Sequence, residues 1–233
     1  MKALAIDCAS SKTVVAAENN GERATITLEI GAKQSQQLLP AIDYALRAVG
    51  LCAQNLDFTA LTKGPGTFTG LRIAFSALKA IELAHNVPIY GVSSLQVYAF
   101  PFFEDEIFLV PVIDAKKNQF FASVYFGKNE IFAESDTDAN KIADFLKKSV
   151  KDDKQKILIV GSDAQIFSDE LKKFAPNLNF QTPKFQNATT DSIFKIASEQ
   201  FLQKKEPLKD YDGPLYLRKS EAELSLEKPS SLS

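Results

Sequence analysis

A glycine-rich run constrains this chain more than any other feature of its sequence. The run reads Gly64-Pro65-Gly66-Thr67-Phe68-Thr69-Gly70-Leu71-Arg72 and lies between a predicted strand, Phe58–Thr62, and a predicted helix, Phe68–His85. Glycine adopts positive φ angles without a Cβ penalty, so three glycines and a proline allow a sharp turn at this junction. Such a turn exposes backbone N–H groups at a helix N-terminus, where phosphates and other anions bind.

Several familiar types of catalytic site do not fit the sequence. The run matches neither the P-loop pattern Gly-x-x-x-x-Gly-Lys-[Ser/Thr] nor the dinucleotide pattern Gly-x-Gly-x-x-Gly. The stretch Gly91-Val92-Ser93-Ser94 lacks the closing glycine of a serine nucleophile elbow. The single histidine, His85, falls at the predicted end of a helix, where the helix dipole favours it at the surface.

Composition limits the classes of partner. The 233 residues are 45% hydrophobic, and the formal net charge of −2 offers no basic field for autonomous nucleic-acid binding. The sequence has only two cysteines and one histidine, too few for a zinc site. So few cysteines also indicate a reduced compartment. The N-terminus lacks the apolar run of a signal peptide, and no stretch approaches the ~20 apolar residues of a membrane span. We expect a soluble cytoplasmic protein without membrane contact.

The order of predicted elements indicates the fold class. Three strands open the chain, and Asn19-Asn20-Gly21 is a strong hairpin signal between the last two. A helix over Leu38–Val49, the strand, turn and helix around the glycines, and a strand at Ile89–Val92 follow. Antiparallel strands followed by alternating helix and strand are typical of an RNase-H-like, actin-type half.

The second half begins as the first does, with a strand that ends in an aspartate and a second strand after it. Its predicted strands are Phe108–Ile113, Phe120–Phe126 and Ile157–Val160, and its predicted helices are Ala139–Lys148, Ile166–Phe174 and Ser192–Leu202. We predict an α/β fold of two RNase-H-like or actin-like (ASKHA) subdomains, with mixed sheets flanked by helices. Residues 1–103 form the N-terminal subdomain, 104–224 the C-terminal one and 225–233 a flexible tail.

The helix Phe68–His85 is apolar most of the way round. Two stripes of apolar residues run along it, the expected core stripe Leu71, Ala74, Leu78 and Ile81, and a second stripe Ile73, Ala77, Ala80 and Ala84. A helix of this kind is covered on most sides. Either the domain itself covers both stripes, or another subunit contacts the small residues of the second stripe. A protein that stays strictly monomeric would argue against a subunit interface there.

Two carboxylates end equivalent strands in the two halves. Asp7 precedes Ser10, and Asp114 precedes Lys116. In actin-type ATPases an aspartate at the first position organises metal and phosphate, and two such carboxylates facing one cleft would be a kinase-like layout. Each aspartate can equally cap a turn.

Five segments in order resemble the TsaB family, also called YeaZ. They are Ala5-Ile6-Asp7, Gln34–Pro40, Gly64–Arg72, Gly91–Leu95 and Val112–Ala115, and the resemblance returns at Leu215–Arg218 and Ser220–Glu223. The resemblance implies a bacterial accessory subunit in the formation of threonylcarbamoyladenosine in tRNA, and a paralogue of the transferase TsaD with the same actin-like fold. Gln34 stands where the family often has histidine.

The resemblance also implies the loss of catalysis. TsaD binds metal through a His-x-x-x-His motif, and this chain has Ser94 and Tyr98 at the matching positions. Both are poor replacements for imidazole at a transition-metal site. We therefore expect no metal, no catalytic residue and a vestigial nucleotide cleft formed by Asp7, Ser10, Gly64, Gly66 and Asp114.

Partners follow from the same resemblance. It implies a TsaD-like catalytic subunit, a TsaE-like P-loop ATPase, a homodimer in isolation, and tRNA contact through the complex alone. It implies no intrinsic cofactor and allows ATP or ADP at the junction with the catalytic partner. The expected interface residues are Arg72, Ile73, Phe75, Ser76, Ala77 and Ala80. The alternative function is a nucleotide-binding kinase-like or a peptidase-like enzyme.

Overall fold

Two mixed β-sheets flanked by helices make up the part of the chain that the computed structural model describes, residues 1–152, 154–183 and 189–218. The strands are β1 (Lys2–Asp7), β2 (Thr13–Asn19), β3 (Glu22–Leu28), β4 (Phe58–Gly64), β5 (Ile89–Ser93), β6 (Phe108–Asp114), β7 (Phe120–Phe126), β8 (Asn129–Thr137), β9 (Lys156–Val160) and β10 (Asn179–Gln181). The helices are α1 (Gln34–Ala48), α2 (Phe68–His85), α3 (Ser94–Ala99), α4 (Ala139–Ser149), α5 (Ala164–Phe174) and α6 (Thr189–Leu202). The predicted tail 225–233 and the segment Ser220–Glu223 lie outside these residues.

The two sheets have the same topology. The first has the order β3-β2-β1-β4-β5 and the second the order β10-β9-β6-β7-β8, so β1 corresponds to β6 and β5 to β10. In each sheet the first three strands are antiparallel and the last two join in parallel. This duplication confirms the predicted α/β class with two mixed sheets. The strands β8 and β10 were not predicted.

Helices cover both faces of the first sheet. On one face, Leu4 and Ile6 of β1 pack with the buried sides of α1 and α2. On the other face, Ala3 and Ala5 pack with α6, which returns from the end of the chain to this sheet. Although α6 falls within the predicted range 104–224, its apolar side faces the first sheet.

The second sheet packs against α4 and α5 on one face. Its opposite face meets a cluster that includes α3 and the start of α2, represented by Leu95, Leu71, Leu109 and Val160. The two sheets therefore share a buried junction, and a cleft opens beside it.

The segment after α6 connects the two sheets. The backbone N–H of Leu208 donates to the Ile89 carbonyl at 2.8 Å, and that of Leu215 donates to the Lys63 carbonyl at 2.6 Å. Residues 203–218, which we call the strap, thus run along the first sheet before Arg218 reaches Asp136 of β8. In the described ranges no helix is long and apolar enough to cross a membrane.

Candidate functional site

An apolar groove lies between α1 and α2 on the surface of the first subdomain. It has a volume of about 350 Å³ and is lined by Ser35, Leu38, Leu39, Arg72, Ile73, Ser76, Ala77 and Ala80. Small residues on α2 keep the groove open, because alanine and serine leave space for a neighbouring helix. At its α1 edge, Leu39 is 64% exposed although it is a large apolar residue. Exposed apolar surface gathered in one concave patch is typical of a protein-binding site.

Five of the six residues expected at the interface line this groove. Arg72, Ser76 and Ala80 are exposed and Ile73 is half-buried. Ala77 forms the floor, at 8% exposed. Phe75 is 6% exposed and packs in the core of the first sheet, so its ring has little area to offer a partner.

The α1 wall of the groove was missing from the sequence-based set. Ser35, Leu38 and Leu39 form it. The adjacent pair Leu38-Leu39 carried a signal, because two neighbouring leucines point in directions about 100° apart on a helix, so the pair widens the apolar stripe toward the surface.

A second concave region is the cleft between the two sheets. Its volume is about 440 Å³, and its lining is mostly hydroxyl and carboxylate: Asp7, Ser10, Ser11, Lys12, Val14, Thr27, Tyr98, Gly161, Ser162, Asp163 and Thr189. Asp7 is buried and accepts hydrogen bonds from the Thr62 hydroxyl at 2.8 Å and from the Ala9 N–H at 3.0 Å. Asp7 and Ser10 therefore both line this cleft.

The other predicted cleft residues have different surroundings. Asp114 accepts from the Lys116 N–H at 2.7 Å and pairs with the Lys116 ammonium at 2.6 Å. Burial raises the pKa of the Asp114 carboxyl, but the hydrogen bonds and charge of Lys116 outweigh burial and leave this pKa below its usual value. The carboxylate that lines the cleft from the second sheet is Asp163, which accepts from the Asp114 N–H at 3.0 Å.

The glycine-rich turn packs against the protein's own backbone. A Cβ added to Gly66 would lie 2.5 Å from the Ala9 carbonyl oxygen, and one added to Gly70 would clash with the Cys8 carbonyl. Gly64 has a φ of +118°, and a Cβ there would clash with the Leu215 carbonyl. The glycines are needed for close approach of backbone to backbone, so the turn is filled by the chain itself.

Ser94 and Tyr98, at the positions that match the metal-binding histidines of TsaD, do not fit a metal ion. Ser94 is buried, and its hydroxyl has no hydrogen-bond partner within the described residues. Burial, followed by the charge of Asp7, raises the pKa of the Tyr98 phenol, and hydrogen bonds with Ser162 and Ser10 offset this only in part. A phenol that keeps its proton is a weak ligand, and a serine hydroxyl does not replace imidazole.

Comparisons with known proteins agree along most of the chain. A family model described as TsaD, tRNA N6-adenosine threonylcarbamoyltransferase, matches residues 29–226. The chain is 28% identical over 192 residues to the tRNA threonylcarbamoyladenosine biosynthesis protein TsaB of Bacillus subtilis (strain 168), covering 81% of each chain. It is 24% identical over 225 residues to the protein of the same name from Escherichia coli (strain K12), covering 95% of this chain and 96% of that one.

A solved structure has the same fold. The YeaZ protein from Pseudomonas aeruginosa superimposes with a TM-score of 0.72 at 21% identity, covering 93% of this chain and 99% of that chain.

Proposed function

The chain belongs to the TsaD family and is similar to its TsaB (YeaZ) members over most of its length, and from this premise we propose that it is a non-catalytic accessory subunit. In this proposal it acts in the biosynthesis of threonylcarbamoyladenosine in tRNA by binding a TsaD-type transferase and stabilising or activating it. The family membership agrees with the one predicted from the sequence.

The observation that carries the proposal is the groove between α1 and α2. Its floor and walls are apolar or small, and its large apolar edge residue Leu39 is exposed. Burying such surface stabilises a complex by roughly 25 cal/mol per Å², before the cost of association is subtracted. A helix of a second protein that brings apolar side chains to Ile73 and Ala80 would fill the groove.

The same groove would serve a homodimer when the transferase is absent. Two copies would then compete with the transferase for Ala80 and its neighbours, so excess transferase should convert homodimers into mixed complexes. A TsaE-like P-loop ATPase, and ATP or ADP at the junction, belong to the assembled complex in this proposal.

The cleft supports a non-catalytic role. Ser94 and Tyr98 do not fit a metal, and Asp114 is engaged by Lys116. The formal net charge of −2 gives the chain little attraction for tRNA by itself, so tRNA would be bound mainly by the partners.

An aspartate at the groove tests the proposal. We expect Ala80→Asp to abolish co-purification with the TsaD-family protein of the same organism, because a charge would be buried without a partner. Ala48→Asp is the matched control, since Ala48 is also an exposed alanine, at the end of α1 and outside the groove lining. The exposed Ala80 suits the test better than the buried Ala77, because an aspartate at Ala77 would also disturb the core.

Two outcomes decide this test. Loss of binding in Ala80→Asp with unchanged circular dichroism, together with loss of tRNA modification in a reconstituted assay, supports the accessory role. Binding equal to that of the unsubstituted protein would contradict it.

A nucleotide-using enzyme is the second candidate, and the cleft with the buried Asp7 is the observation that favours it. Isothermal titration with ATP and Mg²⁺ separates the two candidates. Tight binding by the chain alone would favour the enzyme, whereas binding that needs the transferase would place the nucleotide at the subunit junction.

A further inference from the structure

Arg72 is held in place by two aromatic rings at the end of the groove. Its guanidinium carbon lies 3.8 Å from the centre of the Phe68 ring, and its Nε donates to the Tyr216 hydroxyl at 3.0 Å. The two rings pack together with their centres 4.8 Å apart. Phe68 and Tyr216 are each 38% exposed, so this cluster lies at the surface.

Arg72 differs from the other arginines in its ionic contacts. The sequence has four arginines, and three of them pair with carboxylates: Arg23 with Glu18 and Asp191, Arg47 with Asp43, and Arg218 with Asp136. Among the described residues, Arg72 has no such pair. Its terminal guanidinium nitrogens carry no hydrogen bond in this part of the chain, although the side chain is already fixed.

We propose that Arg72 is the charge-specific anchor of the groove and binds an aspartate or glutamate carboxylate of the TsaD-family partner. This inference rests on the proposed function. The guanidinium is planar and can bind both oxygens of a carboxylate, which a lysine cannot do. Arginine and aromatic residues are also the types that dominate binding energy at protein interfaces.

The surroundings favour a protein carboxylate over an RNA phosphate. The groove lining contains one cation, Arg72, and otherwise apolar or hydroxyl side chains. Nucleic-acid sites gather several basic residues, because each phosphate contact contributes through counterion release. A single arginine at the rim of an apolar groove matches an amphipathic helix with one acidic residue.

Tyr216 is a positioning residue in this inference. It belongs to the strap, which the Arg218–Asp136 pair and the Leu215 N–H hold in place. Its hydroxyl and ring order Arg72 before the partner arrives, so less side-chain entropy is lost on binding.

The test measures the dissociation constant of the complex with the TsaD-family protein against NaCl, over about 50 to 500 mM. We expect Arg72→Gln to weaken binding about tenfold at low salt and to flatten the salt dependence, since the charge pair is lost. Arg72→Lys should retain the salt dependence with weaker binding. Tyr216→Phe should weaken binding about two- to threefold without changing the salt dependence, because the charge remains.

Three results would separate the possible failures. If Arg72→Gln binds as the unsubstituted protein does at every salt concentration while Ala80→Asp does not bind, the anchor is wrong and the proposed function stands. If both variants bind normally, the proposed function is wrong as well. If the chain alone binds tRNA and Arg72→Gln removes that binding, the ligand is a phosphate and the inference is overturned. Melting temperatures of all variants check that the fold is intact.

Discussion

The groove and the cleft have similar volumes, about 350 and 440 Å³, but opposite chemistry. The groove is apolar with one cation at its end, and the cleft is lined by hydroxyls and carboxylates. In the cleft, one carboxylate oxygen of Asp7 accepts from the Thr62 hydroxyl and the Ala9 N–H. In the groove, Leu39 is exposed, and Arg72 has no carboxylate partner within the described residues although it donates to Tyr216. The comparison teaches that a polar lining alone does not mark a protein-binding surface: exposed apolar area beside a cation without a carboxylate partner is the better candidate for that role.

The largest expected effect concerns the scaffold under the groove. Leu78 of α2 is fully buried against the first sheet, whereas Leu83 on the same helix is 84% exposed. We expect Leu78→Ala to lower the free energy of unfolding by about 2–5 kcal/mol, because a core cavity is left. Leu83→Ala should change it by less than about 0.5 kcal/mol. Urea unfolding measures both, and equal losses would contradict the assignment of the two faces.

The second largest effect is expected where the start of α2, next to the groove, packs against the loop after β1, next to the cleft. A Cβ at Gly70 would clash with the Cys8 carbonyl, whereas a Cβ at Gly213 would meet no atom within 4 Å. Gly70→Ala should therefore lower the free energy of unfolding by about 1–3 kcal/mol, since it displaces the start of α2 from the loop that follows β1. The displaced helix should also bind the proposed partner more weakly. Gly213→Ala is the matched control and should be close to neutral. If Gly70→Ala left both stability and binding unchanged, the contact at Gly70 would not link the groove to the cleft.

The cleft itself supplies the third test of the comparison. Asp7→Asn keeps an oxygen that accepts from Thr62 and Ala9 but removes the charge that strengthens both bonds. We expect a stability loss of about 1 kcal/mol in thermal unfolding. Affinity for the proposed TsaD-family partner should stay within about twofold, because Asp7 lies outside the groove. Asp210→Asn, at an exposed position, controls for the loss of one charge. A strong loss of affinity in Asp7→Asn would break the distinction between groove and cleft.

Much of the fold could be predicted from periodicity and turn residues. The prediction placed α2 at Phe68–His85 and β7 at Phe120–Phe126, and the structure has the same bounds. It missed β8, because the stretch Asn129–Thr137 mixes charged and apolar residues and lies at the edge of the second sheet. It missed β10 because three residues carry no readable period.

The site was harder to predict, because it depends on contacts between distant parts of the chain. The second stripe of α2 indicated the groove, but the α1 wall and Tyr216 were missed. Tyr216 is 144 positions from Arg72 in sequence, and nothing local connects them. Asp163 was also missed, although it lies shortly after the end of β9, as Asp114 lies at the end of β6. Polar residues at the carboxyl end of every parallel strand would have been the signal.

The smallest expected effect lies at the junction of the two sheets, where the Ser93 hydroxyl donates to the Glu134 carboxylate. Burial has the largest influence and raises the pKa of Glu134, and the negative charge of Glu130 raises it further. The hydrogen bond from Ser93 and the positive charge of Lys63 lower this pKa, but the net shift is upward. A raised pKa in the folded state means that the stability gained from the protonated form is present at low pH and is lost as pH rises through that pKa.

At neutral pH the charged Glu134 therefore costs stability, and a glutamine should remove that cost while still accepting from Ser93. We expect Glu134→Gln to raise the melting temperature at pH 7.5 by at most about 2–4 °C, the equivalent of about 1 kcal/mol in a chain of this size, and the gain should vanish toward pH 4. The exposed Glu22→Gln is the control and should show no such pH-dependent gain. Because Glu134 lies outside the groove lining, affinity for the proposed TsaD-family partner should not change. A gain that persists at pH 4 would show that it does not come from removing the charge. A lower melting temperature at pH 7.5 would show that the charged form stabilises the junction. The polar contacts between the sheets would then stabilise the fold through charge, as we expect Asp7 to do in the cleft.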